Sequence, residues 1–284
     1  TTVGPIRVEV VEPLRTLRLV VDAPEQSLRA DLTFRHRSPA IEEPHFHLRV
    51  GMRTMFDYTR LTQFGTWEGW IELDGERIEV EPDVVVGSRD RSWGVRPVGE
   101  AGPTGAPVGF PQFFWLWAPV NFPGLSTHFD VNEFGDGRRW HEVGALARDG
   151  DEPPTMMRAV DYRLTWRPGT RWVTSFEYDL IDPDGGVHTV SLEPMYEFMM
   201  RGLGYGHPTY THGSWHGESV VAGERISLPV ETPCAREHVH IQALCRARYE
   251  GPDGTVADGV GILEQLAIGE HPSGLHGILD PFRH

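Results

Sequence analysis

Residues Gly65-Thr66-Trp67-Glu68-Gly69-Trp70-Ile71-Glu72-Leu73-Asp74-Gly75-Glu76-Arg77-Ile78-Glu79-Val80 decide the fold class. On either side of Asp74-Gly75, apolar residues alternate with charged ones, the period of a strand with one buried face. Asp-Gly between two such runs is a hairpin signal, because the favoured two-residue turn needs positive φ at both central positions. The stretch therefore reads strand, turn, strand. The same alternation recurs over residues 6–11, 16–21, 30–37, 158–166, 171–180, 219–228 and 239–249. Further turn signals stand at Asp136-Gly137, Asp184-Gly185-Gly186 and Asp253-Gly254. Helical patterns are few and short, near 24–28 and 193–201. The 32 glycines and 23 prolines punctuate the whole chain. The pattern predicts an all-β protein of barrels or sandwiches.

The opening stretch has a second copy. Gly65, Trp67, Gly69, Gly75, Glu76, Arg77 and Ile78 match Gly213, Trp215, Gly217, Gly223, Glu224, Arg225 and Ile226 at one constant offset of about half the chain. Both copies read as a strand that opens with Gly and Trp, turns at a Gly and returns. This predicts two similar β-domains, 1–150 and 151–284, each of ordinary domain size. The join falls in the polar stretch 148–155, which contains Asp149-Gly150-Asp151-Glu152-Pro153-Pro154.

Composition narrows the function. The 284 residues carry 26 Lys plus Arg against 41 Asp plus Glu, a formal net charge of −15. Nucleic-acid and anionic-membrane binders need a basic surface, so neither is expected as a partner. No lysine occurs, which excludes a Schiff-base, pyridoxal or P-loop lysine. There is no Gly-x-Ser-x-Gly elbow and no dinucleotide fingerprint after a strand. No apolar run reaches the ~20 residues of a membrane-spanning helix. No charged-then-apolar leader is visible. Two cysteines, Cys234 and Cys245, are too few for a Cys-rich zinc site and demand no disulfide, so a reducing cytoplasm is the expected location.

Several segments could carry chemistry. In Arg89-Asp90-Arg91-Ser92-Trp93-Gly94-Val95-Arg96, Asp90 is either a proton donor or an ion-paired carboxylate pinned by Arg89 or Arg96. An ion-paired Asp stays ionised and is a poor acid. Trp93 would wall a pocket. Residues 202–216 hold Tyr205, His207, Tyr210 and His212, groups suited to proton transfer near neutral pH, among glycines that let backbone approach a ligand. The alternative is a connection whose aromatics simply pack. The aromatics Phe110, Phe113, Phe114, Trp115, Trp117 and Phe122 line either an apolar cavity or the core. Trp67 and Trp215 join them as candidate ligand contacts. Glu264 lies between apolar residues of a strand and faces either inward as an acid or outward to water. His45-Phe46-His47 and His238-Val239-His240 each put two imidazoles on one strand face. His207, His212 and His216 lie close in sequence, but no third ligand completes a recognisable signature, so no metal is assigned.

The 89–96 segment resembles the AttH and carotenoid 1,2-hydratase (hydroxyneurosporene synthase) superfamily, in its uncharacterised bacterial branch. Members carry a close variant of Arg-Asp-His-Ser-Trp-Gly-x-Arg, and Arg91 stands in place of the His. Gln63-Phe64-Gly65 with Gly69, Gly204-Tyr205-Gly206-His207 through His212-Gly213, and Gly261-Ile262-Leu263-Glu264-Gln265 extend the likeness over most of the chain. The resemblance implies two tandem lipocalin-like (calycin) antiparallel β-barrels. It also implies chemistry without a cofactor, as in hydratases that protonate an isoprenoid alkene and cyclases that fold a polyene between the barrels.

Two functions follow as expectations. One is a cofactor-independent enzyme hydrating, isomerising or cyclising an apolar isoprenoid- or polyketide-like substrate. Asp90, Glu264, Tyr205, His207, Tyr210 and His212 would be its catalytic groups. Arg89, Arg96, Trp67, Trp93, Phe114, Trp115, Trp117 and Trp215 would contact the substrate. The other is a lipocalin-like carrier or sensor that binds a hydrophobic small molecule unchanged.

Overall fold

The computed structural model of the protein describes residues 1–96 and 112–283. Phe110, named above among the aromatics, lies outside them. The described residues contain no α-helix. Their strands form two nine-stranded antiparallel sheets. The first comprises β1 (Thr2–Val3), β2 (Ile6–Glu12), β3 (Thr16–Ala23), β4 (Leu28–His36), β5 (Ile41–Glu42), β6 (Phe46–Val50), β7 (Arg53–Leu73), β8 (Glu76–Val80) and β9 (Val86–Val95). The second comprises β10 (Phe113–Phe122), β11 (Leu125–Glu133), β12 (Arg139–Arg148), β13 (Thr155–Met156), β14 (Ala159–Trp166), β15 (Val173–Ile181), β16 (Val187–Met199), β17 (Ile241–Glu250) and β18 (Val256–Ile268).

The long strand β7 organises the first sheet. Its C-terminal half pairs with β4 on one side and β8 on the other, and its N-terminal half pairs with β5, β6 and β9. The Asp74-Gly75 turn joins β7 to β8, and both residues have the positive φ that the sequence signal demands. Gly69 has φ +128 and no room for a side chain, since a Cβ would sit 2.0 Å from the Asp31 carbonyl oxygen. Gly69→Ala should therefore lower stability by at least ~1–3 kcal/mol from backbone strain alone, measured as the shift in urea midpoint. An unchanged midpoint would contradict the tight β4–β7 approach.

The second sheet curls until its two ends meet. Met157 N donates to Gly144 O at 2.9 Å, and the Arg139 guanidinium reaches Val160 O at 2.6 Å. Inside lies the main core, where β10 sends in Phe114, Leu116, Ala118 and Val120, and β17 sends in Ala243, Cys245, Ala247 and Tyr249. Strict alternation on β17 explains this, because every second residue is buried. Each large side chain buried here contributes about 1.5–3 kcal/mol. Both cysteines are free.

Some expectations are corrected. The second copy of the opening motif, with residues 219–228, forms no strand. β16 pairs directly with β17 across this insertion, so its backbone finds no strand edge to join. Residues 193–201 are mostly the end of β16, followed by a 3-10 turn at Met200–Leu203, and only a 3-10 turn, Pro24–Gln26, stands near 24–28. The change of sheet falls between Val95 and Phe113, whereas 148–155 links β12 to β13 within the second sheet.

Candidate active site between the two sheets

Strand parity selects the residues that face the space between the sheets. On β9 the even positions Ser88, Asp90 and Ser92 lie opposite Phe64, Thr62 and Arg60 of β7. In an antiparallel pair, directly opposed residues share a face. On the second sheet, Trp117 pairs with both Asp130 of β11 and Glu264 of β18, and Glu264 pairs with Gln242 of β17. The other parity of β10 fills the core of the second sheet. The outside of that sheet therefore turns a polar and aromatic face towards the first.

Contacts close the gap. The Arg60 guanidinium donates to Glu43 at 2.6–3.0 Å and also to Asp130. Thr62 Oγ1 donates to Glu43 at 2.7 Å, and Trp115 Nε1 donates to Asp130 at 2.8 Å. Arg60 lies over the rings of Phe46, Trp115 and Trp117 at 4.9–5.6 Å. Phe46 stacks on His141 at 3.6 Å. Arg60, Glu43, Asp130, His128 and His141 are all buried.

Two carboxylates here share one guanidinium. Burial works against the Glu43 charge, but attraction from Arg60 and His128 outweighs it and holds the carboxyl below its usual range. Burial, offset only in part by Arg60 and reinforced by the Glu43 charge, pushes Asp130 up to about 8. Burial pushes the His141 imidazole down to about 3. The signs give a pH dependence. Asp130 is protonated in the fold but ionised in the unfolded chain above about pH 4, so stability falls as pH rises towards 8. His141 is neutral in the fold and adds stability that is present above about pH 6.5 and lost below it. Glu43 adds stability above the ordinary glutamate range. Between pH 6.5 and 8 the Asp130 effect stands alone among the three, so wild-type stability should decline there. Asp130→Asn should flatten that decline, and equal slopes in urea titrations of the two proteins would refute the assignment.

Beside this cluster Asp90 borders a cavity of about 280 Å³. Trp117, Pro119, Leu244, Val260 and Ile262 form its apolar side, and Ser88, Asn121 and Gln242 stand with Asp90 as its polar members. Asp90 is exposed at the mouth of the cleft, yet the protein around it, chiefly through desolvation, raises its carboxyl above the usual range. Arg60 and Arg96 oppose the rise, while the charges of Glu264 and Glu43 add to it. Glu264 accepts from Gln242 at 2.7 Å and lies 2.7 Å from His240 Nε2. Arg96 donates to Tyr205 Oη at 3.3 Å, and Tyr205 stacks on His212 with centroids 4.8 Å apart. Burial raises the Tyr205 hydroxyl and lowers the His212 imidazole.

Asp90, Glu264, Tyr205, His212, Arg96, Trp115 and Trp117 thus gather at or beside the cleft. Others do not. His207 Nδ1 accepts the backbone N–H groups of Thr209 and Tyr210 at 3.0 and 2.7 Å, which organises its loop, and its Nε2 lies 3.4 Å from Glu224. His207 and Tyr210 line a separate groove with Arg201 and Glu224. Trp93 and Arg89 lie on odd positions of β9 and face away from the cleft. Trp93 is 50% exposed, and Arg89 donates to Gln63 Oε1 at 2.7–3.0 Å. Phe114 is buried in the core of the second sheet against His271. Trp67 packs edge-on against Phe34, and Trp215 is 76% exposed in the irregular segment. His238 and His240 part company, with His238 bound to Thr232 O and His240 to Glu264. Arg60, Glu43, Asp130, His128 and His141 were not singled out in the sequence. The available signal was the polar series Ser126, His128, Asp130, Asn132 on every second position of β11, a strand buried throughout.

The model of a family of unknown function (DUF8625) matches residues 1–276. The chain belongs to this family. No curated protein matches it. Among solved structures, this DUF8625 member is similar to kievitone hydratase from Nectria haematococca, at 12% identity and TM-score 0.51 over 94% of this chain and 70% of that one. It is also similar to an AttH-type protein from Nitrosomonas europaea, at 16% identity and TM-score 0.47 over 89% of this chain and 66% of that one. CghA solved with Sch210972 is similar at 14% identity and TM-score 0.47, over 92% of this chain and 66% of that one. The likeness to kievitone hydratase is one of fold, and it agrees with the AttH-like calycin resemblance of residues 89–96. No helix of the described residues is long and apolar enough to cross a membrane.

Proposed function

We propose that the protein is a cofactor-independent enzyme that protonates an apolar, isoprenoid- or polyketide-like alkene in the cleft between the sheets. The observation that carries this reading is Asp90 on the wall of a cavity that pairs an apolar side with polar groups, with its carboxyl raised chiefly by desolvation. A carboxylic acid held protonated in apolar surroundings can act as a general acid near neutral pH. Asp90 would give its proton to an alkene carbon. The face of Trp117 and the nearby Glu264 charge would stabilise the cation. Water would add to the cation, and its proton would return to Asp90, so the net reaction is hydration. Without water in reach, loss of a different proton to the Asp90 carboxylate gives isomerisation, and attack by a second double bond, followed by loss of a proton from the new cation to the same carboxylate, gives cyclisation. The Trp117 Nε1 donor has no hydrogen-bond partner among the described residues, which suits a substrate that also carries an oxygen.

Native mass spectrometry of the protein, mixed with a panel of polyprenyl and polyene compounds, tests the location. Leu244→Trp should fill the cavity and abolish capture of any compound the wild type retains. Capture unaffected by Leu244→Trp would place the ligand elsewhere. A retained compound that is never altered would favour the carrier.

A further inference from the structure

We propose that His45, His47 and Asp57 form a binding site for a divalent transition-metal ion of zinc-like chemistry on the outer face of the first sheet. Successive strand residues point to opposite faces, so His47 takes the side opposite Phe46, and His45, just ahead of β6, reaches the same side, where it meets Asp57 and Thr59 of β7. Phe46 is buried and stacks on Tyr58 at 4.4 Å and on His141 at 3.6 Å, which anchors this end of β6 and turns both imidazoles outward. The third group comes from the neighbouring strand, because Asp57 of β7 lies directly opposite His47. His45 Nε2 is 2.7 Å from Asp57 Oδ1, and His47 Nδ1 is 3.9 Å from Oδ2. The candidate donor atoms of all three lie within 4.8 Å of one another. Tetrahedral zinc spaces its donors at about 3.4 Å, so small side-chain rotations bring the three onto one ion. Thr59 Oγ1 stands 3.4 Å from the other nitrogen of His45, where a polar partner would steady the imidazole.

Two imidazoles and one carboxylate select the ion class. Mg²⁺ and Ca²⁺ take mainly oxygen donors, whereas zinc, cobalt and nickel accept this mixed set with positions left for water. A second trio, Glu43, Asp130 and His141, also converges. There the Arg60 guanidinium already bridges both carboxylates, so an added cation would meet fixed positive charge. The outer ion would tie β6 to β7 behind the Phe46–Tyr58–His141 stack, outside the cleft.

The test uses untagged, chelator-treated full-length protein titrated with Co²⁺ by absorbance and with Zn²⁺ by calorimetry. One equivalent should bind with a dissociation constant on the order of micromolar or tighter. His47→Ala and Asp57→Asn should each weaken binding at least on the order of 100-fold, and Thr59→Val about 10-fold. The side chains of His47 and Asp57 are about half exposed, so these two variants should melt within a few degrees of the metal-free wild type. Saturation only at millimolar metal, or equal affinity in wild type, His47→Ala and Asp57→Asn, would overturn the proposal.

Discussion

Arg60→Met lowers the free energy of unfolding by about 3–5 kcal/mol, the cost of leaving a buried charge without its partner. Arg60 is the guanidinium that bridges Glu43 of the first sheet to Asp130 of the second. Its removal strands the ionised Glu43 between the sheets, with Thr62 and His128 as its remaining close polar contacts among the described residues. The effect should exceed that of any exposed pair on the same sheet. Arg35 with Glu68, for example, contributes little because water screens both groups. The triple change Arg60→Met, Glu43→Gln, Asp130→Asn should recover most of the loss, since no charge is then stranded. Urea denaturation followed by tryptophan fluorescence measures both. A loss below about 1 kcal/mol for Arg60→Met would show that water reaches the cluster.

Asp90→Asn cuts turnover by about 10²–10⁴-fold, the usual contribution of a positioned general acid. The amide has nearly the shape of the acid, so capture of the substrate should survive while chemistry stops. The pH profile carries a sign of its own. In the proposed mechanism the protonated form of Asp90 is the active one, so rate should hold on the acid side and fall as pH rises through its elevated value. Glu264→Gln removes a charge that helps to raise Asp90. It should therefore move that fall to lower pH, and it should also lower the rate on the acid side, because the charge that would stabilise the cation is gone.

The fold was legible where alternation and turn chemistry agreed. The β7–β8 hairpin, β2, β3, β4, β14, β15 and β17 all follow from period-two runs closed by turn residues such as Gly, Pro or Asp-Gly. Residues 219–228 misled because alternation describes a half-buried face but does not supply a neighbouring strand. The site was legible in part. Asp90, Glu264 and Tyr205 stood out as polar groups among apolar or aromatic neighbours. Trp93 and Arg89 were drawn in by adjacency to Asp90, although parity sends odd positions of β9 to the opposite face. The Arg60 cluster was hidden because its members come from a loop and three separate strands. Only sheet register and the packing of one sheet on the other bring Glu43, Arg60, Asp130 and His141 together. The third member of the His45–His47 group was hidden for the same reason.

The most direct test of the account is product analysis by liquid chromatography and mass spectrometry, with wild type and Asp90→Asn incubated side by side with a compound the cleft retains. The account predicts a hydrated, isomerised or cyclised product from the wild type, and the same compound bound but unchanged in Asp90→Asn. Equal conversion by both proteins would contradict it, because the acid on the cleft wall would then play no part in the reaction.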